Sequence, residues 1–115
     1  MEPRLAEDRS SLLPGTLDLL ILKTLSVGVL HGYGIAQHIR RLSGEALRVE
    51  EGSLYPALQR MQVKGWVASE MKRTPTGRQG RYYRITAAGR RQLGAEEESF
   101  LRSVAATRRV LKGET

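Results

Sequence analysis

The 115-residue sequence contains no cysteine and only one tryptophan and one phenylalanine. Without cysteine there is no disulfide, no redox-sensing thiol and no zinc site built on cysteine ligands. No apolar run approaches the roughly 18 residues that a membrane-spanning helix needs. The first residues include Glu2, Glu7 and Asp8 and do not form a signal-peptide pattern. We therefore expect a one-domain protein of the cytoplasm.

Carboxylates are missing from residues 72–91. That segment carries seven basic residues, namely Lys72, Arg73, Arg78, Arg81, Arg84, Arg90 and Arg91. Its charge therefore equals the net charge of the whole chain, which is +7. A surface that only needs to be soluble mixes charges of both signs. So one-sided a segment favours a polyanionic partner, although charge alone does not choose among nucleic acid, acidic protein and anionic membrane.

The spacing of apolar residues and turn residues predicts four helices and one hairpin. The predicted elements are helices over 16–27, 32–42, 53–65 and 86–111, with strands over 66–71 and 81–85. Thr16, Ser53 and Thr86 are the expected N-caps, and Pro56 is expected in the first turn of the third helix. The fold class is thus mainly α with a small β-hairpin, or α+β. We expect three parts in the chain, namely a flexible N-terminal arm over 1–13, a folded unit with three helices and the hairpin over 14–86, and the long last helix over 87–115.

The third helix and the hairpin together are typical of a winged helix-turn-helix protein, whose helix enters the major groove of DNA. The residues predicted to face inward are Leu54, Ala57, Leu58 and Met61. The residues predicted to face outward are Tyr55, Pro56, Gln59 and Val63. Ser53 and the N-terminal N–H groups suit a phosphate, Gln59 suits an adenine edge, and Pro56 or Val63 suits a thymine methyl group. The hairpin arginines would neutralise backbone phosphates.

The last helix predicts a second copy of the chain as a partner. About 25 residues of helix are about 38 Å long, which exceeds what a domain of this size can cover. A projecting helix with an apolar stripe usually meets its own copy. The predicted dimer contacts come from this stripe and from the first helix, and they are Leu17, Leu20, Leu93, Phe100, Leu101, Val104 and Leu111.

Other classes of function fit the residues less well. A protein-interaction adaptor could use the same fold and basic hairpin to bind an acidic partner, and it would show no preference for inverted-repeat DNA. No triad or carboxylate pair indicates an enzyme. His31 and His38 have no carboxylate or cysteine at the spacing of metal ligands. We therefore expect them at a helix cap or on the surface. No cofactor is expected.

The segments resemble the PadR family of bacterial transcriptional regulators. The matching pieces are GTLDLLILKTL at 15–25, HGYGIAQHI at 31–39, GSLYPALQRMQVKGW at 52–66 and GRYYRITAAG at 80–89. They follow the order and spacing of that family. The single last helix resembles the family's short subgroup, which has no added ligand domain.

The resemblance implies a homodimer that binds a palindromic operator, usually as a repressor. It implies DNA contacts by Tyr33 of the second helix, by Ser53 and Tyr55 of the third, and by the wing residues Arg78, Gln79 and Arg81. Some relatives bind phenolic acids or flat aromatic drugs, and the drugs lie in a pore at the dimer interface that a tryptophan of the last helix lines. Here Phe100 is the only aromatic residue of that helix, so the chain departs from the family pattern and an aromatic effector remains an open question.

Overall fold

A computed structural model describes residues 15–113, and the predicted N-terminal arm lies outside them. The elements are α1 Thr16–Leu25, β1 Leu30–His31, α2 Gly32–Leu42, α3 Glu51–Val63, β2 Val67–Arg73, β3 Gln79–Ile85 and α4 Ala87–Lys112. The strands form one antiparallel sheet in the order β1-β3-β2. The mainly α, α+β class predicted from the sequence is confirmed, including the long last helix.

The core forms around α1, which contacts α2, α3, α4 and β3. Its side chains Ile21 and Leu22 are fully buried, and Leu25 is nearly so. Leu17 and Leu20 are only partly buried and pack at the edge of this core. This placement explains why apolar residues nearly encircle the helix. The predicted cap at Thr16 is wrong: Gly15 is the N-cap, with a left-handed φ of 85° that favours glycine.

The second helix begins and ends where the sequence predicts. His31 caps it, because its Nδ1 accepts a hydrogen bond from the backbone N–H of Gly34 at 3.0 Å. The imidazole also lies edge-on to the ring of Tyr82, with ring centroids 5.5 Å apart. The expected capping role of a histidine is thus confirmed at His31.

The third helix begins earlier than predicted. Glu50 is its N-cap, and its carbonyl accepts from the N–H groups of Ser53 and Leu54 at 3.0 and 2.9 Å. Ser53 therefore lies inside the first turn and caps nothing. Pro56 falls in the second turn rather than the first. The cap prediction failed because it rested on residue type, whereas the extended backbone of Glu50 and the two hydrogen bonds that its carbonyl accepts suffice to start the helix.

The hairpin β2–β3, called the wing below, has longer strands than predicted. Val67 pairs with Ile85 at its base and Arg73 with Gln79 near its tip. The tip is closed by a 2.8 Å hydrogen bond from the N–H of Gly77 to the carbonyl of Thr74. The two-residue strand β1, which pairs with β3, was not predicted because two residues are too short to show a period.

The wing and α4 meet at a tight junction. Thr86 caps α4 as predicted: its Oγ1 accepts from the N–H of Gly89 at 3.0 Å and donates to the carbonyl of Gly65 at 2.6 Å. The N–H of Thr86 also donates to the carbonyl of Trp66 at 3.0 Å. This junction sets the direction in which α4 leaves the wing.

Candidate nucleic-acid interface

The exposed face of α3 carries the four residues predicted to face outward. Tyr55, Pro56, Gln59 and Val63 are exposed, and 83% of Val63 is open to solvent. The predicted inward residues are buried, each with at most 2% exposure. The face thus offers a phenol, an amide and small apolar groups, which can hydrogen-bond base edges and touch methyl groups.

The face of α3 that carries Tyr55 and Gln59 has no free positive charge, because Arg60 is occupied elsewhere. Its Nη2 donates to Oδ1 of Asp18 on α1 at 2.6 Å. The carboxylate is mostly shielded, with 16% of its side chain exposed. Arg60 therefore ties α3 to α1, and the sequence did not indicate this contact. Positive charge for a polyanion must come from another element.

The wing supplies that charge. Within residues 15–113, Arg78, Arg81 and Arg84 form no ion pair with a carboxylate. Outside the wing, Arg40, Arg60 and Arg102 do form such pairs, Arg40 with Glu45 at 2.6 Å. A guanidinium without a carboxylate partner keeps its donors available for phosphate oxygens.

Tyr33 is held at the start of α2 by its neighbours. The rings of His31 and Tyr33 are stacked with centroids 6.3 Å apart, and the hydroxyl of Tyr33 accepts from Nε2 of Gln37 at 3.0 Å. The side chain is nevertheless 62% exposed. Its hydroxyl thus keeps a free proton for an outside acceptor.

Tyr55 connects the predicted contact residues into one surface. With Tyr33 it lines a cavity of about 550 Å³ between α2 and the start of α3. With Gln59 and Arg81 it lines a second cavity, of about 290 Å³, between α3 and the wing. Its ring lies directly on Gly32, where an added Cβ would overlap the phenol. A larger residue there would push Tyr55 out of place.

The structure does not bring every predicted residue to these cavities. Ser53 is exposed in the first turn of α3, and Arg78 and Gln79 lie near the wing tip. The surface also includes three residues that the sequence did not single out as site residues, namely Gln62, Tyr83 and Ser69. Gln62 follows Gln59 by three residues, a spacing that places both on one helix side. Ser69 could not be found this way, because its role depends on strand register.

Tyr83 sits where the core meets this surface. Burial raises the pKa of its hydroxyl above the ordinary value, and the Arg81 guanidinium opposes this only in part. A tyrosine hydroxyl is protonated at neutral pH even with its ordinary pKa, so that of Tyr83 can donate a hydrogen bond.

Residues 15–113 contain neither a candidate metal centre nor a candidate membrane span. No three histidine or acidic side chains lie together there as metal ligands would. None of the helices in that part of the chain combines the length and the apolar composition needed to cross a bilayer.

Residues 21–95 match the model of the family described as "Transcriptional regulator PadR-like family". The Transcriptional regulator Rv3488 of Mycobacterium tuberculosis is 37% identical over 97 residues, which are 84% of this chain and 84% of that protein.

Solved structures share the fold. The PadR-like transcriptional regulator BC4206 from Bacillus cereus is similar with a TM-score of 0.76 and 30% identity, over 91% of this chain and 100% of that one. PadR of Bacillus subtilis, solved in complex with operator DNA, is similar with a TM-score of 0.64 and 23% identity, over 71% of this chain and 45% of that one. The predicted winged-helix fold is thereby confirmed.

Proposed function

The chain belongs to the PadR-like family of transcriptional regulators, and we propose that it represses transcription by binding a palindromic operator as a homodimer. The observation that carries the proposal is the continuity of two surfaces. The outer face of α3, with the phenol of Tyr55 and the amide of Gln59, adjoins a wing whose arginines lack carboxylate partners within residues 15–113. Base reading and phosphate binding need these two chemistries side by side.

In the proposed complex, α3 of each subunit enters a major groove and the wing follows the backbone. Tyr33, Ser53 and Tyr55 bind phosphates at the edge of the groove, and Arg78, Gln79 and Arg81 bind through the wing. Pro56 and Gln59 lie against the bases. The two α3 helices would sit about 34 Å apart, one turn of duplex, which is why the operator would be palindromic.

We propose that α1 and α4 form the interface of the homodimer. Only Gly89 and Leu93 of α4 are buried, whereas Leu111, near its end, is 79% exposed. An open groove of about 590 Å³ runs between the start of α1 and α4, and Phe100 and Val104 line it. Exposed apolar surface of this kind is typical of an interface between subunits.

The other predicted interface residues differ in how much surface they offer. Leu101 is 56% exposed, and Leu17 and Leu20 are half-buried at the core edge. Leu93 is 8% exposed and packs in the core of its own subunit. It can therefore support the proposed interface from beneath but has little side chain left for a partner.

The proposal is tested first by binding. We expect fluorescence anisotropy on DNA from upstream of the protein's own gene, compared with scrambled DNA, to give a specificity ratio of about 10³ or more. Affinity should fall steeply with salt, because bound phosphates release counterions. Equal and weak binding to both DNAs that vanishes near physiological salt would contradict the proposal and point to an acidic protein partner instead.

Gln59 is expected to read a base. Replacing Gln59 with alanine should lower the preference for the operator by about 1–3 kcal/mol, since one bidentate contact to a base edge is lost. Binding to random DNA should change little. Gln92 on α4, whose amide donates to Glu96 at 2.7 Å, provides the control, because Gln92→Ala removes the same group away from α3. Equal losses on operator and random DNA for Gln59→Ala would exclude its role as a base reader.

A further inference from the structure

A polar cleft separates α3 from β3, and its chemistry is unlike that of the core beside it. Along β3, Ile85, Tyr83 and Arg81 point to the same face of the sheet, because side chains alternate along a strand. Ile85 and Tyr83 are buried, whereas Arg81 is exposed. The face therefore changes from apolar to cationic toward the wing tip, at the place where the cleft opens.

Ser69 holds Arg81 in this cleft. Ser69 pairs with Tyr83 and Met71 with Arg81, so Ser69 and Arg81 are diagonal neighbours on one face of the sheet. The Oγ of Ser69 accepts a hydrogen bond from Nη1 of Arg81 at 3.0 Å. A flexible arginine side chain loses much of its freedom when it is ordered. The serine contact brings about part of that ordering before any ligand arrives.

The cleft has the size and the groups for one anion. Its volume is about 290 Å³, and its lining residues are Tyr55, Gln59, Gln62, Arg81 and Tyr83. None of these carries a carboxylate. The Gln62 amide and the protonated Tyr83 hydroxyl are hydrogen-bond donors, and Arg81 uses one of its five N–H groups on Ser69. The remaining donors suit the oxygens of a phosphate group.

We infer that this cleft binds one backbone phosphate of the DNA, with Arg81 as the anion-binding residue and Ser69 as its positioning residue. The inference rests on the proposed function. When α3 lies in a major groove and the wing lies over the adjacent backbone, the strand between them must pass the gap between α3 and β3. A phosphate of that strand is the group that the gap would meet.

The test is a double-mutant cycle on the full chain, measured by anisotropy on the upstream DNA and on scrambled DNA over a salt series. Arg81→Ala should weaken binding about tenfold on both DNAs and reduce the slope of log affinity against log salt by about 2, which is about 1 for each subunit of the proposed dimer. Ser69→Ala should weaken binding about threefold, and this loss should disappear in the Arg81→Ala background, because Ser69 acts only through Arg81. Ser69→Thr should bind both DNAs as the wild type does, since threonine keeps the hydroxyl and favours strands.

Arg84 provides the matched control, because it lies on the same strand and faces the other side of the sheet. The loss from Ser69→Ala should remain complete in the Arg84→Ala background. Equal losses of affinity from Ser69→Ala in the wild-type and Arg81→Ala backgrounds would overturn the positioning role. A Ser69→Ala variant that unfolds at the wild-type temperature and binds DNA with the wild-type affinity would overturn it too. These outcomes are distinct from failure of the proposed function, in which the wild-type protein itself would not prefer the upstream DNA.

Discussion

Replacing Gly89 with alanine is expected to lower the free energy of unfolding by about 3 kcal/mol, the upper part of the range for overpacked sites. An added Cβ at this position would overlap the carbonyl oxygen of Trp66 and lie 2.7 Å from Cγ1 of Ile85. The Trp66 backbone cannot easily yield, because its N–H donates to Met61 and its carbonyl accepts from Thr86, both at 3.0 Å. Urea denaturation would measure the loss.

Gly94 on the same helix provides the control. No atom lies within 4 Å of a Cβ built at Gly94, so alanine there gains helix propensity without a clash. We expect Gly94→Ala to raise the free energy of unfolding by up to about 1 kcal/mol. Both variants should be compared at the same protein concentration, because dimerisation would add to the apparent stability. Similar stability of the two variants would contradict the close contact between α4 and Trp66.

The combined change Phe100→Asp with Val104→Asp is expected to give monomers and to lower operator affinity by about 10²–10⁴-fold. Each aspartate places a charge in the groove between α1 and α4, where burial against a second subunit would cost its hydration. Affinity falls because a monomer binds a single half-site and loses the gain from linking two binding units. Multi-angle light scattering and anisotropy on the operator measure the two effects.

Ala106→Asp is the control. Ala106 is exposed on α4 and does not line the groove with Phe100 and Val104. The change adds a negative charge to the same helix, and we expect the dimer and its operator affinity to persist. A dimer that survives Phe100→Asp with Val104→Asp would place the interface elsewhere.

Much of the fold could be predicted from local patterns. Helix α2 and the buried residues of α3 follow from apolar spacing, and the Thr86 cap follows from a hydroxyl placed before a helical segment. The start of α3 could not be predicted, since Glu50 caps the helix without a side-chain hydrogen bond. Strand β1 could not either, because its only signal is pairing with a strand some fifty residues away.

The candidate site divides in the same way. Tyr55 and Gln59 on one side of a helix follow from its period, and the charge of the wing follows from composition. The sequence places Arg81 in a segment without carboxylates, but it does not show that Arg60 pairs with Asp18, which is 42 residues away.

The sequence by itself therefore determined the four helices and the hairpin, the buried face of α3, and the concentration of positive charge in the wing. The tertiary structure decided which charges stay free, which serine holds Arg81, and that α3 and β3 leave a cleft between them. The physical reason is the distance along the chain over which each kind of interaction acts. Side-chain direction within an element depends on neighbours one to four residues away, whereas pairing between elements depends on register and packing that no local pattern contains.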